Sequence, residues 1–282
     1  MEEKPQTLLS ISVVIPSYNA AATLPRAIQS IACQTRLPAE VIIVDDASTD
    51  DTYHVIELLS ATYKQLCIRL IRLTMNSGPG TARNTGWNLS RQEFIAFLDS
   101  DDSWHPQKLE VQHQWMSRNP DVIISGHPCQ VTQSLSSFEL LDDMNPDTLP
   151  YTKLALRSFL FGNRLSTPSV MLSRKITERF LEGKRCSEDY LLWTQIVAAH
   201  GSAGFIKVPL AFLHKPTYGA SGLSGSLWEM QRGEIDSLRQ LRQASVFDLS
   251  KILWFGIVTV SWLKFVKRWL VRLIVLATHH RR

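Results

Sequence analysis

The sequence predicts an α/β protein with a mostly parallel sheet, for two reasons. Short apolar runs bounded by polar or turn residues alternate with stretches of helical period through the first part of the chain. The chain has 282 residues, of which 44% are hydrophobic, and it can therefore bury a sizeable core. Strand and helix alternate in parallel sheets because a crossover helix returns the chain to the edge where the next strand begins.

Four apolar runs are the predicted strands, and three amphipathic stretches between them are the predicted helices. The strands are residues 11–15, 41–44, 68–73 and 94–98, and the helices are residues 21–33, 52–63 and 81–90. Farther along, residues 165–171 and 206–213 have the composition of strands, and residues 134–151 that of an irregular polar loop. Ligands of such sheets bind beyond the carboxyl ends of the strands, so the residues that follow each strand are the first site candidates.

The net charge of +4 belongs to the C-terminal segment. Seven of the 30 Lys and Arg residues lie within residues 251–282, which contain no Asp or Glu, so the remaining 23 face 26 acidic residues. Nucleic-acid binding by the whole chain is therefore not expected. The first apolar run is too short for a signal peptide, and the four cysteines form no CxxC pair. We expect a cytoplasmic protein with buried, free thiols.

Acidic clusters follow two of the predicted strands. Asp45 and Asp46 begin the run DDASTDD after the second strand, and Asp99, Asp101 and Asp102 follow the fourth. Within the first cluster, residues 48–51 are equally well explained as the N-cap of a helix with acids in its first turn. Three acids within four residues after an apolar strand, however, need a compensating partner. Carboxylate oxygens suit Mg²⁺ or Mn²⁺, so we expect a divalent metal that holds a nucleotide diphosphate.

The motifs of two other nucleotide-binding classes are missing. The sequence has no GxxxxGK[ST], and the first strand leads into Pro-Ser-Tyr-Asn at residues 16–19 rather than into GxGxxG. A P-loop NTPase or an NAD-dependent enzyme is therefore not expected.

Five segments, taken together and in order, resemble the family 2 glycosyltransferases of the GT-A fold. They are VVIPSYN at 13–19, EVIIVDDASTD at 40–50, GPGTARNTG at 78–86, FLDSDD at 97–102, and the pair at 188–189. Residues 209–233 also resemble the end of the catalytic domain in bacterial members. The resemblance implies a mostly parallel, mixed central sheet flanked by helices. It places a GT-A domain at residues 1–230 and a helical C-terminal extension at residues 231–282.

The resemblance also implies roles on the donor side of the site. Pro16, Tyr18 and Asn19 match the segment that lines the base pocket, and Asp46 matches the acid that accepts a hydrogen bond from the base. Arg83 matches an arginine near the nucleotide, where it would offset phosphate charge. Two alternatives stay open, because Tyr18 could be a packed aromatic and Arg83 an ion-pairing residue on a helix face.

For the metal, the resemblance points to the acids after the fourth strand. Asp99 opens the motif, Asp101 would lie near the ribose and metal, and Asp102 would bind the metal. His214 follows a predicted strand and could reach the metal or the diphosphate. A structural histidine is the alternative.

On the acceptor side, the resemblance makes Asp189 the general base that takes the proton from the acceptor hydroxyl. Its neighbour Glu188 would also lie on this side, although both acids could simply be charges at a helix N-terminus. Trp104 would wall the acceptor site, or merely begin the helix that runs to Met116. One base and a metal-bound leaving group imply a single displacement that inverts the anomeric centre.

The C-terminal segment predicts an amphipathic helix. Residues 252–263 are apolar, and Lys264, Lys267, Arg268 and Arg272 then recur on one helical face. The apolar run is shorter than the ~20 residues of a spanning helix. We therefore expect an interfacial helix on an anionic membrane surface, with packing on the protein or on a second subunit as the alternative.

The function that the resemblance implies is transfer of a sugar from a nucleotide-diphosphate donor, UDP by family habit, to a saccharide or lipid-linked saccharide. The setting would be surface polysaccharide or lipopolysaccharide synthesis, at the inner face of the cell membrane. One alternative is an inactive GT-A domain that binds nucleotide sugars or serves in assembly. Another is a metal-dependent nucleotidyltransferase, which would need a glycine-rich basic loop after the first strand that the sequence lacks.

Overall fold

The computed structural model of the protein describes residues 8–132, 148–214, 226–247 and 250–279. In these residues the strands are β1 (Leu9–Ser17), β2 (Pro38–Asp45), β3 (Ile68–Arg72), β4 (Phe94–Phe97), β5 (Asp102–Trp104), β6 (Ile124–Gly126), β7 (Cys129–Val131), β8 (Tyr151–Ala155), β9 (Met171–Ser173), β10 (Ser202–Ile206) and β11 (Ala211–Leu213). The α-helices are α1 (Leu24–Ala32), α2 (Thr52–Thr62), α3 (Pro79–Leu89), α4 (Lys108–Arg118), α5 (Glu188–His200), α6 (Leu227–Gln243) and α7 (Lys251–His279).

Within the described ranges, the strands form an eight-stranded sheet in the order β3-β2-β1-β4-β9-β6-β10-β8 and a three-stranded sheet in the order β5-β11-β7. The first four strands of the larger sheet are parallel, and β9 pairs antiparallel with both β4 and β6. The α/β class and the mixed, mostly parallel sheet are therefore confirmed. The carboxyl ends of β1, β2 and β4 meet at one edge, as the alternation of elements predicts.

The predicted strands and helices of the first part of the chain are confirmed, with shifts of a few residues at their ends. The prediction of a strand over residues 165–171 is wrong. A 3₁₀ turn at Thr167–Ser169 interrupts it, because Pro168 cannot donate a ladder hydrogen bond, and β9 begins only at Met171. The single strand predicted over residues 206–213 is also wrong. Pro209 falls inside that range, and β10 and β11 on either side of it belong to different sheets. The loop predicted at 134–151 lies largely outside the described residues.

Helix α3 lies directly against the centre of the large sheet because Gly86 has no side chain. A Cβ atom at this position would lie 2.4 Å from Val14 Cγ1 and 3.3 Å from Val44 Cγ2. These two valines are fully buried in β1 and β2. The same helix carries Arg83 at the sheet edge, so this close packing fixes the position of a site residue.

The C-terminal helices pack on α5 and on each other. Glu234 of α6 accepts hydrogen bonds from Ser261 and Arg268 of α7, at 2.9 and 3.0 Å. Helix α6 runs across residue 230, so the predicted domain boundary falls inside a helix and the two-part division stays a prediction. Within the part of the chain that the structure describes, no helix is both long and apolar enough to span a membrane.

Helix α7 turns part of its basic face toward the body of the protein. Lys264 and Arg268 line a cavity, whereas Lys267 is exposed. Eight large apolar side chains of α7 are exposed: Ile252, Leu253, Phe255, Trp262, Leu263, Val266, Trp269 and Leu270. The reason is the ion pair with Glu234, which draws the basic side of the helix inward.

The expectation of buried cysteines is also corrected. All four are free thiols as expected, but Cys33 and Cys67 are exposed and Cys129 and Cys186 are half-buried.

Candidate active site

Two adjoining cavities lie beyond the carboxyl ends of β1, β2 and β4. The smaller cavity, of about 670 Å³, lies over β1 and β2, and the larger cavity, of about 850 Å³, extends toward α5 and α7. The two cavities share five lining residues: Arg83, Asp99, Asp101, Arg185 and Glu188. Their position agrees with the edge where ligands bind in parallel sheets.

The loops that follow β1 and β2 form the wall of the smaller cavity, and backbone contacts hold them together. Pro16, Tyr18, Asn19 and Asp46 all line it, as predicted. Asn19 has a left-handed backbone with φ of 48°. Its N–H donates to Ser48 Oγ at 3.0 Å, and its side-chain oxygen accepts the N–H of residue 49 at 2.9 Å. Tyr18 is 48% exposed, which argues against its alternative as a packed aromatic.

Asp46 connects the end of β2 to the loop that precedes α3. Its two carboxylate oxygens accept the N–H groups of Ser77 and Gly78, each at 2.8 Å. Gly78 adopts φ of +89°, which a residue with a side chain rarely adopts, and so directs its N–H to the acid. Each oxygen of a carboxylate can accept more than one hydrogen bond, so Asp46 keeps acceptor capacity for a ligand in the cavity.

Arg83 forms the wall between the two cavities. It is 5% exposed and donates to Asp99 Oδ1 at 2.7 Å and to Glu188 Oε1 at 2.8 Å. Burial alone would lower the pKa of the guanidinium, but the two carboxylates outweigh burial and raise the pKa above its ordinary value. Arg83 therefore forms ion pairs, as its alternative interpretation held, and its partners Asp99 and Glu188 line the same two cavities.

The acids after β4 lie at the junction of the cavities. Asp101 lines both, and Asp102, in β5, is buried and lines the larger one. Their all-oxygen donors fit a hard divalent cation. Among the described residues, however, no group of three or more His, Cys, Asp and Glu side chains is arranged to hold a metal ion. These two carboxylates would therefore need diphosphate oxygens and water to complete a coordination sphere.

His214 directly follows β11 and approaches the same region from the second sheet. Its Nε2 lies 2.8 Å from Ser103 Oγ, in the strand paired with β11. Burial and the nearby Arg26 lower the pKa of His214, while Asp101 opposes them. A lowered pKa favours the neutral imidazole, which is the form that binds metals. The residue is not among those that line either cavity.

Asp189 lies in the first turn of α5 and lines the larger cavity. Its Oδ2 accepts from Asn163 Nδ2 at 2.7 Å and from Thr167 Oγ1 at 3.4 Å, and its Oδ1 accepts the N–H of Tyr190 at 2.7 Å. Burial of the carboxyl, together with the negative charge of Glu188, raises the pKa of Asp189 to about 7. A carboxyl group in this range can exchange a proton near neutral pH.

The other two predicted acceptor-side residues differ in their surroundings. Glu188 lines both cavities and is held by Arg83. Trp104 is only 1% exposed and is not among the lining residues. Its indole N–H donates to the carbonyl of Pro168 at 2.7 Å, so it contacts the larger cavity only through that proline. Trp104 ends β5, and the helix it was expected to begin starts at Lys108.

Several lining residues of the larger cavity were not predicted from the sequence. They are Arg157, Asn163, Arg164, Arg185, Lys264 and Arg268. None belongs to the five motif segments, and they come from separate stretches of chain that meet only in the folded structure. Helical spacing could have paired Lys264 with Arg268, but it could not show that these residues turn toward the site.

Comparison with known proteins agrees with this geometry. The family model described as "Glycosyl transferase family 2" matches residues 12–180. The succinoglycan biosynthesis protein ExoO of Rhizobium meliloti is 32% identical over 213 residues, which cover 70% of this chain and 60% of ExoO. The Escherichia coli UDP-Glc:alpha-D-GlcNAc-diphosphoundecaprenol beta-1,3-glucosyltransferase WfgD is 30% identical, over 66% of this chain and 69% of WfgD.

Some relatives are much longer than this chain. An uncharacterized glycosyltransferase of Rickettsia felis is 31% identical over 70% of this chain, yet the match spans only 32% of that protein.

Solved structures share the fold at low sequence identity. S. aureus TarS 1-349 in complex with UDP-GlcNAc superposes with a TM-score of 0.64 at 20% identity, over 92% of this chain and 72% of TarS 1-349. The mannosyltransferase PcManGT of Pyrobaculum calidifontis, in complex with GDP-Man and Mn²⁺, superposes with a TM-score of 0.59 at 17% identity, over 95% and 88%. The family model covers more than half of the chain, and the order of motifs along the fold agrees with it. The chain therefore belongs to glycosyl transferase family 2.

Proposed function

We propose that this chain is an inverting glycosyltransferase that moves a sugar from a nucleotide-diphosphate donor to a saccharide or lipid-linked saccharide acceptor. The observation that carries the proposal is the placement of Asp189. Its carboxyl, with a pKa raised to about 7, lines a cavity that adjoins a second one lined by the family's nucleotide motifs. A base on one side and a nucleotide on the other is the arrangement that a single displacement requires.

The smaller cavity is the proposed donor site, and UDP is the proposed nucleotide. Tyr18 offers an exposed ring for stacking on a base, and Asp46 has acceptor capacity for an imide N–H such as that of uracil. The neighbour TarS binds UDP-GlcNAc and the relative WfgD is named for UDP-Glc, which supports a uridine nucleotide. PcManGT, which binds GDP-Man, is the reason to test guanine nucleotides as well.

Asp101 and Asp102 would hold Mn²⁺ or Mg²⁺ together with the diphosphate, and His214 is the third candidate. Such an ion would stabilise the negative charge that develops on the leaving diphosphate. Mn²⁺ in the structure of PcManGT supports a divalent cation in this fold. Asp99 and Glu188, which Arg83 holds, would position that arginine beside the donor rather than bind the ion.

Asp189 would remove the proton from the acceptor hydroxyl as that oxygen bonds to the anomeric carbon and the diphosphate leaves. Asn163 and Thr167 orient the carboxylate through hydrogen bonds to one of its oxygens. An acceptor oxygen that attacks from the side of α5, opposite the departing diphosphate, would invert the anomeric centre without a covalent intermediate.

Cell-surface polysaccharide synthesis at the inner face of the membrane is the proposed setting. ExoO and WfgD act, by their names, in succinoglycan synthesis and on a polyprenyl-linked sugar. The exposed apolar face of α7, from Phe255 to Leu270, would rest in the membrane interface, with the exposed Lys267 beside it for anionic lipids.

A thermal-shift screen tests the proposed donor site. UDP, GDP, dTDP and several UDP-sugars would be compared with Mn²⁺, with Mg²⁺ and with chelator. We expect a stabilising shift with one nucleotide that depends on the metal, since a ligand that binds only the folded state raises its stability. No shift with any nucleotide would contradict the proposal and favour a domain that has lost donor binding.

A further inference from the structure

The far end of the larger cavity has an unusual concentration of positive charge. Arg157 lies in a 3₁₀ turn at Leu156–Phe159, Arg164 in the loop beyond it, and Lys264 and Arg268 on α7. All four side chains line the cavity that also holds Asp189. We refer to these four residues as the cationic wall.

The members of the cationic wall are close to one another. Burial first, and then the positive charges of Arg268 and Arg164, lower the pKa of Lys264. The ammonium group of Lys264 also lies close to Gly162, in the loop between Arg157 and Arg164. A Cβ atom built on Gly162 would be 3.1 Å from Lys264 Nζ. Like charges gathered in this way repel each other unless an anion lies between them.

The protein itself supplies little compensating charge. Arg268 forms an ion pair with Glu234 at 3.0 Å, and Glu234 also lies near Lys264. The side chains of Arg157 and Arg164 make no hydrogen bond or ion pair with any other described residue. Among the described residues, Glu234 is the carboxylate that pairs with the wall, whereas Asp99 and Glu188 of the same cavity pair with Arg83. The four cations of the wall therefore keep an attraction for an anion.

The donor diphosphate is not the anion that this wall would bind. The proposed donor site is the smaller cavity, and the residues that line it include Arg83 and Arg185 but none of the cationic wall. Asp99 and Asp101 line both cavities and Asp102 lines only the larger one, so these acids lie where the donor site meets the cavity of the wall. The anion therefore belongs to whatever occupies the larger cavity beside Asp189.

We propose that the cationic wall binds the phosphate or diphosphate of a lipid-linked saccharide acceptor, a proposal that rests on the proposed function. A diphosphate ester carries two or more negative charges, and its oxygens accept several hydrogen bonds at once. It can therefore bind several cations at the same time, which a single carboxylate does less well. Helix α7 supports the lipid-linked form. It supplies Lys264 on one side and exposed apolar side chains on the other, within a helix diameter of ~10–12 Å.

Isothermal titration of the full chain with farnesyl diphosphate, in the presence of saturating UDP and Mn²⁺, tests this site. The double variant R164Q/K264Q removes two cations of the wall. The matched control K64Q/R91Q removes two exposed cations that line neither cavity and lie outside α7. Binding of UDP to each protein is measured separately, and a thermal melt confirms that each variant is folded.

We expect the wild type and K64Q/R91Q to bind farnesyl diphosphate equally, and R164Q/K264Q to bind it about tenfold more weakly or worse, with UDP affinity unchanged. Equal binding by the double variant, or no binding by the wild type, would overturn the proposal. A parallel loss of UDP affinity would also overturn it, since the cations would then serve the donor. Equal affinity of the wild type for inorganic diphosphate would refute the lipid-linked assignment.

The two proposals fail in different ways in this experiment. If UDP does not bind the wild type, the proposed donor site is wrong, whereas farnesyl diphosphate still reports on the wall when titrated alone. If UDP binds and farnesyl diphosphate does not, only the inference about the wall is wrong.

Discussion

The two cavities are built in opposite ways. The smaller one is formed by short loops that directly follow β1 and β2 and precede α3. Its polar groups form hydrogen bonds with one another, and Asp46, for example, accepts hydrogen bonds from two backbone N–H groups. The larger one is assembled from many widely separated stretches of chain and keeps cations without partners among the described residues. A pre-organised pocket suits a ligand common to a family, and an open, charged one suits a ligand that varies between members.

The largest expected effect would separate chemistry from donor binding. Asp189→Asn keeps the size of the side chain but removes the proposed base, so we expect transfer to fall by roughly 10²–10⁴-fold while donor affinity is unchanged. Steady-state kinetics and a donor titration measure the two. The control is Asp236→Asn, an acid paired with Lys184 outside both cavities, which should leave both quantities as they are. Loss of donor binding in D189N would break the division between the cavities.

Arg83→Gln tests how much the ion pairs between the two cavities stabilise the fold. It would leave Asp99 and Glu188 without their common cation, and we expect a loss of about 3–5 kcal/mol in the free energy of unfolding, as is typical when one partner of a buried pair is removed. Denaturant unfolding measures this change. Arg69→Gln, which breaks a more exposed pair with Glu40, should cost only about 1 kcal/mol. Equal losses in the two variants would show that Arg83 is not a buried anchor.

Asp102→Ala examines the metal at the junction. We expect donor affinity in the presence of Mn²⁺ to fall by about tenfold or more, because one carboxylate ligand is lost, and to match the wild-type affinity in chelator. Titration of the donor with and without metal gives both values. If D102A keeps a metal-dependent donor affinity, the ion must be held elsewhere.

The smallest effect is a shift in pH dependence. Asn163→Ala removes the hydrogen bond that stabilises the ionised form of Asp189, so the pKa of Asp189 should rise further above 7. Since the base acts when deprotonated, the acidic limb of kcat/KM should move to higher pH by about half a unit to one unit. A rate profile between pH 5.5 and 9 measures the shift. A limb that stays in place would mean that another group titrates.

The raised pKa of Asp189 also has a defined effect on stability. The folded chain holds this proton more tightly than the unfolded chain does, so ionisation of Asp189 reduces the free energy of unfolding as the pH rises from about 4 to 7. Asp189→Asn cannot ionise, and its stability should therefore exceed that of the wild type above pH 7.

The contrast between the cavities also explains what the sequence could predict. Strands such as β1 and β2 follow from short apolar runs, and Asp46 or Asp101 follows from its place directly after a strand, since chain neighbours stay neighbours at a sheet edge. Lys264 could not be assigned to the site in this way. Its inward direction depends on Glu234 of α6, and the pairing of two helices is a tertiary property that periodicity alone does not determine.

Gly86 shows that a site can restrict substitution at residues that do not touch a ligand. It lines neither cavity, yet a single methyl group there would collide with Val14 and push α3, with Arg83 one turn earlier, away from the sheet. In a saturation mutagenesis of this chain, position 86 should accept fewer residue types than an exposed cavity position such as Arg164. The most constrained point of the site would then be one that no substrate reaches.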